Sequence, residues 1–198
     1  MRLFFNQTSP YARKTRIAVR EFGLEQQVTC IAIDPWAEPD ELTTVNPLSK
    51  VPALQLPEGS VVTESDAIVA ALLGRSANTS IVEDEASPNA RRSRAALCQG
   101  LIDASFGSVI ERRRPVQSQW ADWVARQERA VSRTLSTVEA TFDLPMERFD
   151  AGDISLACAL GYLDFRLPHL SWRSARPRLE TWFAKVDQRP SMIATRPC

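Results

Sequence analysis

The chain has 198 residues, 44% hydrophobic and 24% charged, a composition typical of a soluble globular protein with one large or two small domains. Its 24 basic and 24 acidic residues balance, so we expect neither nucleic acid nor a membrane surface as a partner. No apolar stretch is long enough to span a bilayer, and the four cysteines and single histidine lack metal-ligand spacing, so we expect a reduced cytoplasmic protein without a metal.

The N-terminal residues predict a strand, a helix and a second strand. Residues 2–6 predict a short buried strand, after which Ser9 and Pro10 provide a hydroxyl N-cap and a proline at the first helical position. The helix is expected to end at Gly23, because glycine is favoured just past a helix C-terminus. Residues 27–33 alternate in polarity and are rich in strand-forming residues. Together these elements predict a right-handed βαβ unit.

Residues 34–74 predict a short helix, a hairpin and a longer helix. The polar segment 38–45 is compatible with a short irregular helix. The consecutive stretches "VPALQL", "PEG" and "SVVT" predict a strand, a turn and a second strand. Residues 64–74 then predict an amphipathic helix. The order βαβ, α, ββα is the thioredoxin-like layout.

A polar, proline-containing segment at residues 76–88 predicts a linker. It divides the chain into a thioredoxin-like domain, residues 1–75, and an all-helical domain, residues 89–198. The predicted fold class is therefore α/β plus all-α, an N-terminal thioredoxin-like domain followed by a C-terminal helical bundle.

The second half of the chain predicts four helices. Residues 89–114 and 117–142 carry apolar residues at three- and four-residue steps. Residues 154–168 are apolar nearly all round, which predicts the buried centre of the helical domain, and residues 176–190 predict a surface helix. A basic run, Glu111-Arg112-Arg113-Arg114, is interpreted as a solvated helix end rather than a nucleic-acid patch.

Five stretches of the chain match one known family in order and at the expected separations. They are "SPYARKTRIAV", "NPLSKVPAL", "TESDAI", "GDISLACALGYLDFR" and "RPSMIATRP". Through them the chain resembles the cytosolic glutathione transferase superfamily over essentially its whole length, and most closely its small bacterial members with an active-site serine. The resemblance implies a transferase that uses glutathione as co-substrate and adds its thiolate to a small apolar electrophile. It also implies a homodimer, a role in detoxification, and an electrophile cleft and dimer contacts formed by the helical domain.

Two of these stretches imply contacts with glutathione. The resemblance implies that Pro52 is cis and that the backbone of Val51 pairs with the cysteinyl part of the tripeptide as a short extra strand. Lys50 is implied as a contact of the glycine carboxylate. Ser65 would donate its hydroxyl and N–H to the γ-glutamyl carboxylate, and Glu64 would lie near the ligand's ammonium. A helix N-terminus with an acidic first turn also forms without any ligand, so an ordinary cap is the alternative.

Ser9 lies where redox proteins of the thioredoxin fold carry a reactive cysteine, as in the C-P-Y-C motif of glutaredoxins. A hydroxyl cannot exchange disulfides, but it can donate a hydrogen bond to a thiolate. One charge-assisted hydrogen bond, worth about 1.5–3 kcal/mol, corresponds to about one to two units of thiol pKa. We therefore expect Ser9 to activate the thiol of glutathione, with Thr8 and Tyr11 as rivals and a plain N-cap as the alternative role.

Two other functions are compatible with the same fold. One is a non-catalytic binding or regulatory protein, which the retention of Ser9, Val51-Pro52 and Glu64-Ser65 argues against. The other is a glutathione-dependent reductase or peroxidase, which the absence of a cysteine at position 9 makes less favourable.

The start of the central helix resembles a capping motif of the form Ser/Thr-x-x-Asp. Ser155 matches the first position of that motif, but its fourth position is Cys158. We therefore expect an incomplete reciprocal cap, with Asp153 as a substitute.

Overall fold

The computed structural model describes residues 1–76, 88–144 and 149–198. The described residues form two compact units, the first made of residues 1–76 together with 189–198 and the second of the remainder. The predicted linker, residues 76–88, lies outside the described residues except at its two ends.

The first unit is built on a four-stranded mixed sheet. The strands are β1 (Arg2–Phe5), β2 (Thr29–Ala32), β3 (Ala53–Gln55) and β4 (Val61–Thr63), in the order β2-β1-β3-β4. β1 and β2 are parallel, whereas β3 is antiparallel to both β1 and β4. Because Ala53 is paired with Phe4 on one side and Thr63 on the other, the start of β3 lies beside the ends of β1 and β4.

Three helices follow the strands of this unit. They are α1 (Pro10–Glu21), α2 (Asp40–Thr43) and α3 (Ser65–Leu73). The sheet and the two longer helices enclose a core whose largest side chains include Phe4, Ile17, Leu54, Ile68 and Leu72. The predicted thioredoxin-like layout is thus confirmed.

The second unit is entirely helical in the part that the structure describes. It contains α4 (Pro88–Arg112), α5 (Ala121–Thr141), α6 (Ala151–Arg166) and α7 (Pro177–Val186), and α4 packs against both α5 and α6. The side chains of α6 are buried nearly throughout, which confirms the prediction of an apolar central helix. None of the described helices is both long and apolar enough to cross a membrane.

The helix predicted over residues 117–142 begins later than expected, at Ala121. Residues before it form a short 3-10 turn instead. The side chain of Gln119 donates to the carbonyl oxygens of Arg112 and Arg114 at 3.0 and 2.8 Å, and thereby closes the end of α4. The backbone of Gln119 is extended, with φ −77° and ψ 136°, so the helix begins only after it.

The sequence predicts that the last ten residues belong to the helical domain, but the structure groups them with the first unit. They contain a short helix, α8 (Pro190–Ile193). Arg189 donates to the carboxylate of Glu21 in α1 at 3.0 and 2.6 Å, and the hydroxyl of Ser191 donates to the same carboxylate. The side chain of Arg13 also donates to the carbonyl of Met192 at 3.2 Å.

The cap at the start of α6 is complete: Asp153 takes part in it as expected, and Asp150 stands where the motif would have a serine. The N–H of Asp153 donates to Oδ1 of Asp150 at 2.9 Å, and the N–H of Asp150 donates to Oδ2 of Asp153 at 3.1 Å. An aspartate can accept at both ends of such a box, so no serine is needed. Ser155 lies inside the helix and its hydroxyl donates to the carbonyl of Ala151 at 2.8 Å.

Asp153 also holds α6 against α4 through an ion pair with Arg94. The Asp153 side chain is 0% exposed and that of Arg94 is 13% exposed. A buried pair of this kind adds little net stability, but loss of one partner leaves the other charge uncompensated.

We predict that Asp153→Asn lowers the free energy of unfolding by about 3 kcal/mol, because Arg94 loses its counter-charge in a buried position. Asp150→Ala removes only the other half of the cap and should cost about 1 kcal/mol. Urea denaturation of both variants measures the difference. Equal losses in the two variants would show that the ion pair contributes nothing beyond the cap.

Candidate functional site

The residues singled out from the sequence lie at one end of the sheet. Ser9 follows β1, Val51 and Pro52 precede β3, and Glu64 and Ser65 follow β4. Because β3 is antiparallel to both β1 and β4, these three chain segments enter or leave the sheet at the same end. The first turns of α1 and α3 therefore begin there as well.

Ser9 is the N-cap of α1. Its backbone is extended, with φ −77° and ψ 121°, and its Oγ accepts a hydrogen bond from the N–H of Ala12 at 3.2 Å. Among the residues that the structure describes, none accepts the hydroxyl proton of Ser9. The half-buried hydroxyl can therefore cap the helix as an acceptor and still donate to a ligand.

Thr8, the nearest rival of Ser9, has its hydroxyl proton engaged. Both its N–H and its hydroxyl donate to Oδ1 of Asn6, at 3.0 and 2.8 Å. The amide nitrogen of Asn6 lies 3.5 Å from the carbonyl oxygen of Ile33, so these bonds close the turn between β1 and α1. Tyr11, the other rival, is half-buried in the first turn of α1. The geometry favours Ser9 over Thr8 as a donor.

The peptide bond between Val51 and Pro52 is cis, as the resemblance implies. The loop before it is held by Asn46, which is only 2% exposed. The amide of Asn46 donates to the carbonyl of Lys50 at 2.9 Å, and its Oδ1 accepts from the N–H of Leu48 at 3.2 Å. Asn46 is part of the stretch "NPLSKVPAL", but the sequence alone gave it no role, because its hydrogen bonds to the loop are visible only in the structure.

The backbone of Val51 is available for pairing. Within the described chain, neither its N–H nor its C=O takes part in a hydrogen bond. An extended peptide could therefore add to the sheet at this position. The side chain of Lys50 beside it is exposed to solvent.

Glu64 adopts a left-handed backbone conformation at the entrance to α3. Its φ of 66° and ψ of 131° lie in a region that non-glycine residues rarely occupy, at a cost of about 1–3 kcal/mol. Ser65, the next residue, is buried and begins the helix. Conformations of this kind are concentrated at sites that bind ligands.

An ion pair between Lys14 and Asp66 joins the two helices that begin at this end of the sheet. The Lys14 side chain is 0% exposed, whereas that of Asp66 is 55% exposed. Lys14 lies in α1 and Asp66 in the first turn of α3, so the pair fixes one helix N-terminus relative to the other. Sequence reasoning assigned Asp66 only to an acidic first turn. The sequence did contain an indication of this pair, because Lys14 lies on the apolar face of an amphipathic helix, where a charged side chain needs a counter-charge.

A shallow depression of about 420 Å³ lies at the carboxyl ends of β1 and β2. Its lining has polar and apolar surface in nearly equal parts and consists of Asn6, Gln7, Thr8, Ala32, Ile33, Asp34 and Cys198. The described residues contain no group of three or more histidine, cysteine, aspartate or glutamate side chains that could hold a metal ion. What this end of the sheet offers is two helix N-termini, which attract anions, and a free strand position for a peptide.

Comparison with protein families gives two matches. The model for "Glutathione S-transferase, N-terminal domain" matches residues 8–73, and the model for "Glutathione S-transferase, C-terminal domain" matches residues 121–185.

Individual proteins are similar over the full chain. The GST-like protein YibF of Escherichia coli (strain K12) is 31% identical over 100% of this chain and 98% of its own length. A glutathione transferase family member from Pseudomonas fluorescens Pf-5 with bound glutathione is 39% identical, with TM-score 0.92 and coverage of 100% of this chain and 98% of that one. Its structure with bound S-(propanoic acid)-glutathione has TM-score 0.89 and covers 100% of both chains at 39% identity. A glutathione S-transferase from Methylobacterium radiotolerans JCM 2831, in complex with glutathione sulfonate, is 33% identical, with TM-score 0.88 and coverage of 99% and 94%.

We predict that Glu64→Gly raises the free energy of unfolding by up to about 1 kcal/mol. Release of the strained backbone outweighs the extra freedom that glycine gives the unfolded chain. Glu64→Gln keeps the strain and removes only the charge, so its stability should equal that of the unmodified protein. Chemical denaturation tests this, and a glycine variant less stable than the glutamine variant would contradict it.

Proposed function

Because the chain belongs to the glutathione S-transferase family, we propose that it binds glutathione, activates the thiol as a thiolate and adds it to a small electrophile. Three features that meet at one end of the sheet support the proposal. They are an N-cap hydroxyl with a free proton, a cis-proline loop with an unpaired backbone, and a second helix N-terminus.

In the proposed site, different residues would contact the successive parts of glutathione. The N–H and C=O of Val51 would pair with the cysteinyl residue as an added strand. Ser65, at the N-terminus of α3, would hold the γ-glutamyl carboxylate, and Glu64 would hold the ammonium of the same residue. The side chain of Lys50 is exposed, and no described residue pairs with its ammonium, so we propose it as the contact of the glycine carboxylate.

Ser9 would then lie near the sulfur at the N-terminus of α1. That helix has no acidic residue in its first turn, so its positive end is not neutralised locally. A hydrogen bond from the hydroxyl to the thiolate, together with this field, stabilises the charged form and lowers the thiol pKa. In the reaction the sulfur forms a bond to an electrophilic carbon and the thiol proton passes to solvent. The leaving group departs with its bonding electrons or, in an addition to a double bond, the second carbon takes a proton.

The similar structures support this assignment of ligand. The Pseudomonas fluorescens protein binds both glutathione and S-(propanoic acid)-glutathione. A glutathione whose sulfur carries a substituent is the kind of product that the proposed reaction forms. A small electrophile with an apolar part is the second substrate we propose. Following the family, we also propose a cytoplasmic homodimer that acts in detoxification.

A non-catalytic member of the same fold is the second candidate. It would not require a free hydroxyl proton at Ser9 or unpaired backbone groups at Val51, and the structure has both. A glutathione-dependent reductase or peroxidase is less favoured, because serine stands where such enzymes use cysteine.

We predict that Ser9→Ala leaves the affinity for glutathione within about threefold of the original. The pKa of the bound thiol should rise by about one to two units, because the thiolate loses one charge-assisted hydrogen bond. Titration calorimetry measures the affinity, and the ultraviolet absorbance of the thiolate across a pH series measures the pKa.

Thr8→Val is the matched control, since it removes a neighbouring hydroxyl whose proton is engaged by Asn6. Its bound thiol should titrate as in the unmodified protein. If the thiol pKa is unchanged in Ser9→Ala, Ser9 is only a helix cap.

A further inference from the structure

The junction between α4 and α5, residues 111–123, carries exposed apolar side chains. Val116 is 83% exposed and Trp120 is 62% exposed. The ring of Trp120 stacks on that of Trp123, with the ring centres 6.1 Å apart and the planes at 21° to each other. Neither indole N–H donates a hydrogen bond to any residue that the structure describes. The α4–α5 junction therefore presents apolar surface and unused indole donors to solvent.

Hydrogen bonds hold this junction in a defined shape. The N–H of Trp120 donates to Oε1 of Glu111 at 2.8 Å, and the guanidinium of Arg114 donates to the same oxygen at 3.0 Å. The side chain of Gln119 bonds to the carbonyl oxygens at the end of α4. One carboxylate thus holds Trp120 and Arg114 next to each other, so the exposed ring and the cation belong to one surface.

The charged groups of the junction are arranged with the cations outermost. Arg112 pairs with Glu128 at 2.7 Å. Arg114 pairs with Glu111 at 3.0 Å. In these pairs the arginine side chains are 46% and 53% exposed, whereas those of the glutamates are only 19% and 14% exposed. Arg113 is exposed as well and pairs with no carboxylate in the described part of the chain, so the junction shows guanidinium groups to solvent.

The balance of charge over the whole chain, from which no membrane partner is expected, does not hold at this junction. Residues 111–123 contain three arginines and two acidic residues, and of the two acids only Asp122 is exposed. The interpretation of the basic run as a solvated helix end accounts for the exposed arginines. It does not account for the valine and the tryptophan beside them, since large apolar side chains exposed as a group mark interaction sites.

This combination fits the surface of an anionic membrane. Tryptophan is favoured at the boundary between acyl chains and headgroups, where its ring lies in an apolar layer and its N–H reaches polar acceptors. Arginine can keep its methylene groups in the same layer while its guanidinium reaches the headgroup phosphates. Val116 is the most exposed large apolar side chain among the described residues, and burial at the acyl boundary would remove it from water.

Two other occupants fit this surface less well. A stable protein–protein interface buries about 800 Å² on each partner, whereas one valine and one exposed ring beside a half-buried one form a much smaller apolar surface. A single-stranded nucleic acid would use the arginines and one face of an indole ring, but it would leave the valine in water.

We propose that the α4–α5 junction is a membrane-contact surface. In it Arg113 and Arg114 bind anionic lipid headgroups, and Val116 and Trp120 enter the boundary of the acyl chains. The proposal goes beyond the binding of glutathione and requires no residue of that site, so either proposal can fail without the other.

Sedimentation with lipid vesicles tests this surface directly. Vesicles of phosphatidylglycerol and phosphatidylcholine in equal parts are compared with vesicles of phosphatidylcholine alone, at millimolar lipid and the same ionic strength. We expect a partition coefficient at least fivefold larger for the anionic vesicles, because each arginine near an anionic surface contributes about this factor. No sedimentation with the anionic vesicles, or the same sedimentation with both, overturns the proposal.

Two tryptophan variants separate this surface from exposed aromatic rings in general. Trp120→Ala should lower the partition into anionic vesicles at least fivefold, because it removes apolar area from the contact. Trp36→Ala is the matched control, since Trp36 is 68% exposed but lies between Asp34 and Glu38, whose charges repel an anionic surface. It should alter the partition less than twofold. Equal losses in the two variants overturn the proposal, and circular dichroism checks that both are folded.

A third variant does not depend on any packing within the protein. Because Val116 is almost fully exposed, Val116→Asp should leave the fold intact and lower the partition at least fivefold. Unchanged partition of this variant overturns the proposal.

The contribution of charge is tested by two arginine variants. Arg113→Gln should lower the partition about fivefold. Arg75→Gln makes the same change of net charge at an exposed position of the first unit and should alter it less than twofold. Equal weakening in the two variants would show attraction by net charge alone and overturn the proposal.

A fluorescein-labelled single-stranded thymidine oligomer distinguishes the remaining occupant. We expect no saturable binding of this oligomer, measured by fluorescence anisotropy at the same ionic strength. Saturable binding of the oligomer that is lost in Trp120→Ala, without sedimentation with vesicles, would overturn the proposal and assign the junction to nucleic acid.

Discussion

The antiparallel pairing of β3 with both β1 and β4 is the constraint on which the rest of the candidate site depends. It brings together segments that are far apart in the chain, the turn after Phe5, the loop before Ala53 and the turn after Thr63. Since side chains alternate along a strand, a slip of one residue would move Phe4 and Leu54 to the opposite buried face of the sheet, into the places of neighbours of different size. Burial of these residues therefore fixes the register and, with it, the meeting point of the site.

Electrostatics at that meeting point favour anions. Two helices begin there, and the N-terminal end of a helix attracts negative charge. The positive end of α1 has no acidic residue in its first turn to compensate it. A peptide thiol that loses its proton beside Ser9 would thus be stabilised by a hydrogen bond and by the helix. The positive φ of Glu64 lies directly before the first residue of α3, at the same end of the sheet.

Local sequence patterns were sufficient for much of the fold. Strand and helix periodicity predicted the thioredoxin-like layout, and the apolar run of α6 predicted its burial. The family resemblance led to Ser9 and to the cis bond before Pro52, while the contacts of these residues with glutathione stay a prediction. The sequence alone could not show whether Ser9 only caps the helix or also donates a hydrogen bond. It also could not separate Ser9 from Thr8, because the difference is that the hydroxyl proton of Thr8 is bound by Asn6.

The features that were missed depend on pairings between distant residues. Lys14 and Asp66 are 52 positions apart, and Glu21 and Arg189 are 168 apart. No periodicity links such residues, so the buried ion pair and the attachment of the last ten residues to the first unit could not be foreseen. The cap of α6 was predicted in part: Asp153 takes part as expected, but the serine motif gave no indication that Asp150 accepts at the other end.

The most direct test of the account is a calorimetric titration of the protein with glutathione and, in parallel, with cysteinylglycine. The second peptide lacks the γ-glutamyl group that the start of α3 is proposed to hold. We predict saturable binding of one glutathione per chain and binding of cysteinylglycine at least tenfold weaker. Absence of binding at millimolar glutathione, or equal binding of the two peptides, would contradict it.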